Sequence, residues 1–482
     1  MQNTKVIKLL QTFTGTEFKN LGVFISSAYF NREKVLVSFY DQLKRYYPDF
    51  KNSKLNKEIF FKFLFPGKKY NDALLRNTNS DFLKLAEKFL KFAHFENEKF
   101  YGQYLLLKEL TNRKQEPLFK ANFKLADKFL DSDSARDEIY YQNKFLLEDE
   151  WRRNHVVNSS KMLFETDNLD KQSQRLHVYY ITEFIKLYAI LLNQSKYTYD
   201  YKFDFSLFEV IRDYLEKNFS AYDKIPYIKI FYNCVMLYKT GEVKFYKELN
   251  ILLKKDYKLL TLTDRKNIFI VLTKFCDEQI LKGNFHFYNE KFTIFENFLK
   301  TRAFYEGNDF MAHYIYEAIA LNAIDCGKTD WALKFLKKYK NIVHSDFRES
   351  SYNISMAELL FNMGKNREAL EILSLVIPIN VKVRTSINIL LLKIFFCTNE
   401  TSSFNSLLES SRKFIIRNKT VQEINKAQFA NFLKFINKLY KIRSDKDHIH
   451  ELKPLSKIIL NCKELISKKW LMETAKQLTI NN

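Results

Sequence analysis

At 482 residues and 46% hydrophobic content, the chain can bury several cores or one long continuous core, which excludes overall disorder. Its 9 glycines and 6 prolines are too few for the many tight turns of a β-sandwich or barrel, so a helical chain is expected. The formal charge of +22 excludes a neutral surface; the excess of Lys over Arg beside abundant Phe, Tyr, Asn and Ile is also the mark of AT-rich codons, so solvated charge is favoured over a working contact with an anionic partner.

Residues up to about 95 read as a compact N-terminal helical unit. Short helices are predicted over 5–13 and from an N-cap at Thr16 through 26, then over 32–47, ended by Pro48. Asn56 is placed to cap a helix over 57–65, which Pro66 and Gly67 stop. A long helix over 71–94 keeps Leu74, Leu75, Phe82, Leu85, Phe89 and Phe92 at helical spacing. Lys68, Lys69, Arg76, Asn77 and Asn79 near its start raise the question of DNA reading. The unbroken apolar stripe favours a packing role instead.

The stretch 96–205 carries longer helices over 99–110, 117–130, 135–155 and 172–193. Within 148–153, Glu148–Arg152 and Asp149–Arg153 have the i,i+4 spacing of helix-surface ion pairs. The stretch closes on alternating Tyr197, Tyr199, Tyr201, Phe203 and Phe205, which has the period of a strand. It is read as an extended linker laying its aromatic side on neighbouring helices.

From 206 to 415 a ladder dominates. Gly241, Gly283, Gly327, Gly364 and Asn399 stand 42, 44, 37 and 35 residues apart. Seven residues before each lies Cys234, Cys276, Ala320, Ala357 or Leu392, and five after each lies Tyr246, Tyr288, Ala332, Ala369 or Phe404. Gly and Asn tolerate the left-handed backbone of a tight interhelix turn, and small or apolar residues suit helix crossings. The period is that of stacked helical hairpins. Over 310–379, Ala320, Gly327, Ala332, Ala357, Gly364, Ala369 and the closing Pro378 resemble tetratricopeptide repeats. The likeness fades over about 225–415, where longer periods and the bulky Tyr246 and Tyr288 depart from that family. The resemblance implies an all-α protein, a right-handed α-solenoid of such hairpins behind the N-terminal unit, and protein or peptide binding.

Residues 416–482 are expected to cap the array as basic helices. Over 411–482, 16 Lys plus Arg against 6 Asp plus Glu supply +10 of the +22. Arg412, Lys413, Arg417, Lys419, Lys468 and Lys469 are the candidate contacts for an acidic protein or a nucleic acid.

Positive signs of chemistry are missing from the sequence. GxxxxGK, GxGxxG, HExxH and GxSxG do not occur, so no nucleotide site, cofactor, metal or enzymatic activity is expected. Asp447, His448, His450 and Glu451 fall in a polar interhelix loop with too few ligands for a metal. The five cysteines form no CxxC pair, and the ladder explains Cys234 and Cys276 as small buried hydrophobes. The most apolar run, 387–397, is interrupted by Asn388 and Lys393, and no leader is evident, so a cytoplasmic protein without membrane insertion is expected. The leading functional expectation is a non-catalytic interaction scaffold; the alternative is a nucleic-acid-associated regulator.

Overall fold

The computed structural model describes residues 4–50, 56–132, 135–158, 166–197, 203–222, 224–304, 310–378, 380–417, 423–444 and 450–480. Among them all regular structure is helical, apart from one isolated bridge between Met311 and Val343. The chain divides into two compact units, Met1–Asp133 with Asn143–Ser173 and Ser134–Gln142 with Gln174–Asn482. The division thus runs through the 96–205 stretch.

In the first unit, α1 (Lys5–Leu10), α2 (Gly15–Ser26), α3 (Lys34–Lys44), α4 (Lys57–Leu64) and α5 (Asp72–Asn97) share one aromatic core. Phe39, Phe60, Phe61 and Phe82 are fully buried there, and Phe39 stacks on Phe82 with ring centroids 4.5 Å apart. The N-cap of α2 is Thr14 rather than the expected Thr16. Thr14 Oγ1 accepts from the Glu17 N–H at 3.2 Å, and Glu17 Oε2 accepts from the Thr14 N–H at 2.7 Å. That reciprocal pair satisfies two otherwise orphaned donors, which a cap at Thr16 cannot do. Asn56 and Asn71 cap α4 and α5. Leu75, Phe82, Leu85 and Phe89 of α5 lie in the core. That stripe makes α5 a packing helix, and at its start Lys57 and Arg76 both pair with Asp72, at 3.0 and 3.2 Å.

Two further helices of this unit, α6 (Lys99–Asn112) and α7 (Glu116–Ser132), pack against each other. The next two, α8 (Glu138–Asn158) and α9 (Thr166–Tyr197), each pass from one unit to the other. In the charged run of α8, Asp149–Arg152 (2.9 Å) and Glu150–Arg153 (3.2 Å) pair at i,i+3 spacing. Glu150 is buried and also accepts from Thr111 Oγ1 at 2.7 Å, which draws it inward from the helix surface.

The second unit continues with α10 (Ser206–Asn218), α11 (Pro226–Thr240), α12 (Val243–Asp256), α13 (Leu262–Leu281), α14 (Phe287–Lys300), α15 (His313–Asp325) and α16 (Thr329–Tyr339). It ends with α17 (Ser345–Asn362), α18 (Asn366–Leu373), α19 (Val381–Thr398), α20 (Thr401–Arg417), α21 (Glu423–Ser444), α22 (Leu452–Asn461) and α23 (Lys468–Ile480). From α11 to α20 these helices pack in consecutive pairs, and α11 also touches α13, α15 touches α17, and α17 touches α19.

Each expected turn residue is left-handed: φ is 65° at Gly241, 91° at Gly283, 72° at Gly327, 77° at Gly364 and 60° at Asn399. In four of the turns the next N–H reaches back five residues. Asn284 bonds the Gln279 carbonyl, Lys328 that of Ala323, Lys365 that of Leu360 and Glu400 that of Phe395, at 2.9 to 3.1 Å. A left-handed residue turns the chain so that this bond closes and an orphaned carbonyl is satisfied. Upstream, Cys234, Cys276, Ala320, Ala357 and Leu392 are all fully buried. The same holds downstream for Ala332, Ala369 and Phe404; Tyr246 is buried, and Tyr288 is half-buried.

The aromatic alternation before α10 is described only at its two ends. Tyr197 ends α9, Tyr199 and Tyr201 lie outside the described residues, and the Phe205 ring lies 5.4 Å from that of Tyr188 on α9.

Candidate functional site

Three polar arrangements in the second unit bear on function. The first is largely buried and joins the starts of α8, α11 and α13 to the middle of α9. Tyr227 Oη donates to Asp264 Oδ2 at 2.7 Å and lies 3.0 Å from Glu138 Oε2. Lys186 Nζ donates to Glu138 Oε1 at 2.6 Å and makes an ion-pair contact with Asp264 Oδ1 at 2.9 Å. Thr261 Oγ1 adds a bond to Asp264 Oδ2 at 2.7 Å. Burial lowers the ammonium pKa of Lys186, but Asp264 and Glu138 outweigh it and leave the pKa above its ordinary value. Burial first, then Asp264, drives the Tyr227 phenol far up, so it stays a donor. Asp264 and Tyr227 are essentially inaccessible, and the network ties four helices together. Sequence reading missed it because Tyr227 lies 37 residues from Asp264 and 89 from Glu138, and the members share no motif.

The second arrangement is a groove of about 400 Å³ bounded by α13, α14, α15 and the start of α19. Its apolar wall is Phe269, Phe295, Phe298 and Tyr314, and Tyr314 keeps 45% of its surface exposed. Lys274, Lys291 and Lys382 enter from three helices. Lys291 is held by Asp277 at 2.6 Å. Burial depresses the Lys274 ammonium, with Lys291 and Lys382 adding repulsion against the opposing pull of Asp277. An apolar wall beside converging cations suits a ligand that is apolar along its length and negative at one point.

The third arrangement involves α23. Lys468 is buried and donates to the Leu281 carbonyl ending α13 and, at 3.0 Å, to the Leu460 carbonyl of α22. Lys469 donates to the Asp325 carbonyl ending α15 and lies over the Tyr288 ring. A lysine at a helix C-terminus meets the negative end of its dipole, so both ammonium groups act as bolts for three helix ends. Trp470 follows them onto Phe396, ring centroids 5.7 Å apart. Nearby, burial pushes the half-buried Asp325 carboxyl up to about 6, against the opposing pull of Lys393.

The six basic residues singled out in the sequence therefore separate. Arg412 pairs with Glu409 at 2.6 Å on α20, and Lys413 and Arg417 are exposed on the same helix. Lys419 lies outside the described residues, as do Asp447 and His448. Lys468 and Lys469 are spent on main-chain carbonyls. The signal that would have set them apart is the flanking Leu465 and Leu471, both fully buried.

Burial pushes the Cys276 thiol up to about 12 and Cys234 higher still, which leaves both inert. No cluster of three or more metal-ligating side chains occurs among the described residues, and none of the described helices is long and apolar enough to cross a membrane. No family model, curated protein or solved structure matches the chain.

Proposed function

We propose that this protein is a non-catalytic interaction scaffold whose hairpins α11 to α20 form a right-handed, tetratricopeptide-like α-solenoid, with a peptide segment of a protein partner seated on the first helices of the hairpins. The observation that carries the reading is the groove at α13, α15 and α19. Phe269, Lys274, Tyr314 and Lys382 come from α13, α15 and α19, each the first helix of a hairpin, which is the face a stacked array turns toward a ligand, while Lys291, Phe295 and Phe298 are added by α14. The exposed Tyr314 supplies a rigid apolar anchor, and Lys382 beside it supplies a cation for an acidic side chain of the peptide. A cytoplasmic setting fits the unpaired cysteines.

Exchanging Tyr314→Ala and Lys382→Glu together tests this reading, because both side chains are exposed and neither change opens the core. Proteins co-purifying with the wild-type chain from its native host are expected to be lost from the double variant. Unchanged recovery by a folded double variant removes the groove from the function.

A further inference from the structure

We propose that the outer face of α20 and α21 is a second docking surface, and that it takes an acidic amphipathic helix from a partner protein. A groove of about 630 Å³ runs along these two helices. Lys434, Lys438 and Lys441 line it from α21 at spacings of four and three residues, so they form one stripe about 10 Å long. None of the three has an ion-pair partner among the described residues. Arg412 faces them from α20, already engaged by Glu409, and among the described residues Glu451 is the single acid on the groove wall. Between the basic rims the surface is apolar: Ile416 is 79% exposed, and Ala430 is exposed beside it.

Two properties select the occupant. The lysine stripe repeats at the pitch of a helix, so carboxylates at i, i+4 and i+7 of a second helix meet it in register. The exposed Ile416 gains only from an apolar partner surface, which a phosphate backbone does not offer and an amphipathic helix does. A helix with an acidic edge beside a leucine stripe satisfies both, and the lysine stripe spans about two of its turns. This surface shares no residue with the groove at α13, α15 and α19, so the two proposals stand or fall separately.

The test uses the full chain and a fluorescent synthetic peptide of about 18 residues, five helical turns. The peptide is built from Leu, Ala and Glu, with Glu on one helical edge and Leu beside it. A second peptide has the same composition in an order that destroys the face. Fluorescence anisotropy is expected to show binding of the first and at least about tenfold weaker binding of the second. The triple change Lys434→Glu, Lys438→Glu and Lys441→Glu is expected to weaken the first peptide by about fivefold or more, as the loss of three exposed ion pairs implies. Ile416→Ser is expected to weaken it while leaving its salt dependence unchanged. If charge reversal disturbs the circular dichroism spectrum, the same lysines changed to Gln carry the measurement. Absence of binding, equal binding of the two peptides, or binding indifferent to the lysines overturns the proposal. So does a single-stranded oligonucleotide that binds more tightly than the peptide and is lost in the same variants, because the stripe is then a nucleic-acid surface.

Discussion

Alanine substituted at two of the turn glycines separates a local cost from a long-range one. At Gly327 the backbone is left-handed with φ 72°, and an added Cβ meets no atom within 4 Å. Gly327→Ala therefore carries only the backbone penalty, about 1–2 kcal/mol. At Gly283, with φ 91°, the added Cβ falls 2.7 Å from Leu460 Cδ1 on α22, a residue 177 positions along the chain. Leu460 is 39% exposed and can swing outward, so the clash adds about 1 kcal/mol to the same backbone penalty. Leu460→Ala removes the clash, and the double-mutant cycle is expected to show a coupling of at least about 0.5 kcal/mol. Combined with Gly327→Ala, Leu460→Ala should show none. Urea unfolding followed by far-ultraviolet circular dichroism and by tryptophan emission reads these differences, with Trp470 on α23 reporting the C-terminal helices. Zero coupling between Gly283→Ala and Leu460→Ala would refute the packing of α22 on this turn. Equal costs for the two single glycine variants would refute the additional clash.

Tyr227→Phe keeps the packed ring and deletes the hydroxyl that donates to Asp264, so a loss of about 1.5–3 kcal/mol is expected from one charge-assisted hydrogen bond; a loss below about 0.5 kcal/mol would mean that the bond is not made. Asp325 has a folded pKa of about 6, raised from 3.8, so protonation favours the fold. Its contribution is most favourable below the unfolded value, declines as pH rises from about 4 to 6, and is flat above. The full shift corresponds to about 3 kcal/mol, and about half that remains because the side chain keeps part of its surface in water. Asp325→Asn is therefore expected to stabilise the protein at pH 8 and to flatten that decline in the unfolding midpoint, whereas destabilisation at pH 8 would contradict the burial of this carboxylate. Asn399→Gly is expected to change stability by less than about 0.5 kcal/mol, since both residues accept the left-handed turn; a larger loss in thermal unfolding would assign the Asn399 side chain a role of its own.

The ladder was legible in the sequence because a left-handed turn admits few residue types. Five positions at irregular spacing could be named, and all five have positive φ. The buried columns on either side were legible for the same reason: Ala320, Ala357, Ala332 and Ala369 sit where two helices cross closely. The N-cap at Thr14 was obscured by Thr16 two residues later, and only the reciprocal bond to Glu17 distinguishes them. Charge was the poorest guide. Lys468 and Lys469 look in the sequence like the exposed Lys413, yet they are fixed on the carbonyl ends of α13, α15 and α22. The Glu138, Lys186, Tyr227 and Asp264 network and the groove of Lys274, Lys291 and Lys382 are products of tertiary packing, and no local pattern encodes either one.

A partner peptide is proposed to lie across α13, α15 and α19. The most direct measurement is amide hydrogen exchange of the full chain with and without a partner purified by its association with the wild-type protein. Backbone protection is expected over 269–277, 314–318 and around 382, and it should vanish together with binding in the Tyr314→Ala, Lys382→Glu variant. Protection confined to other helices, with the variant still bound, would contradict the account.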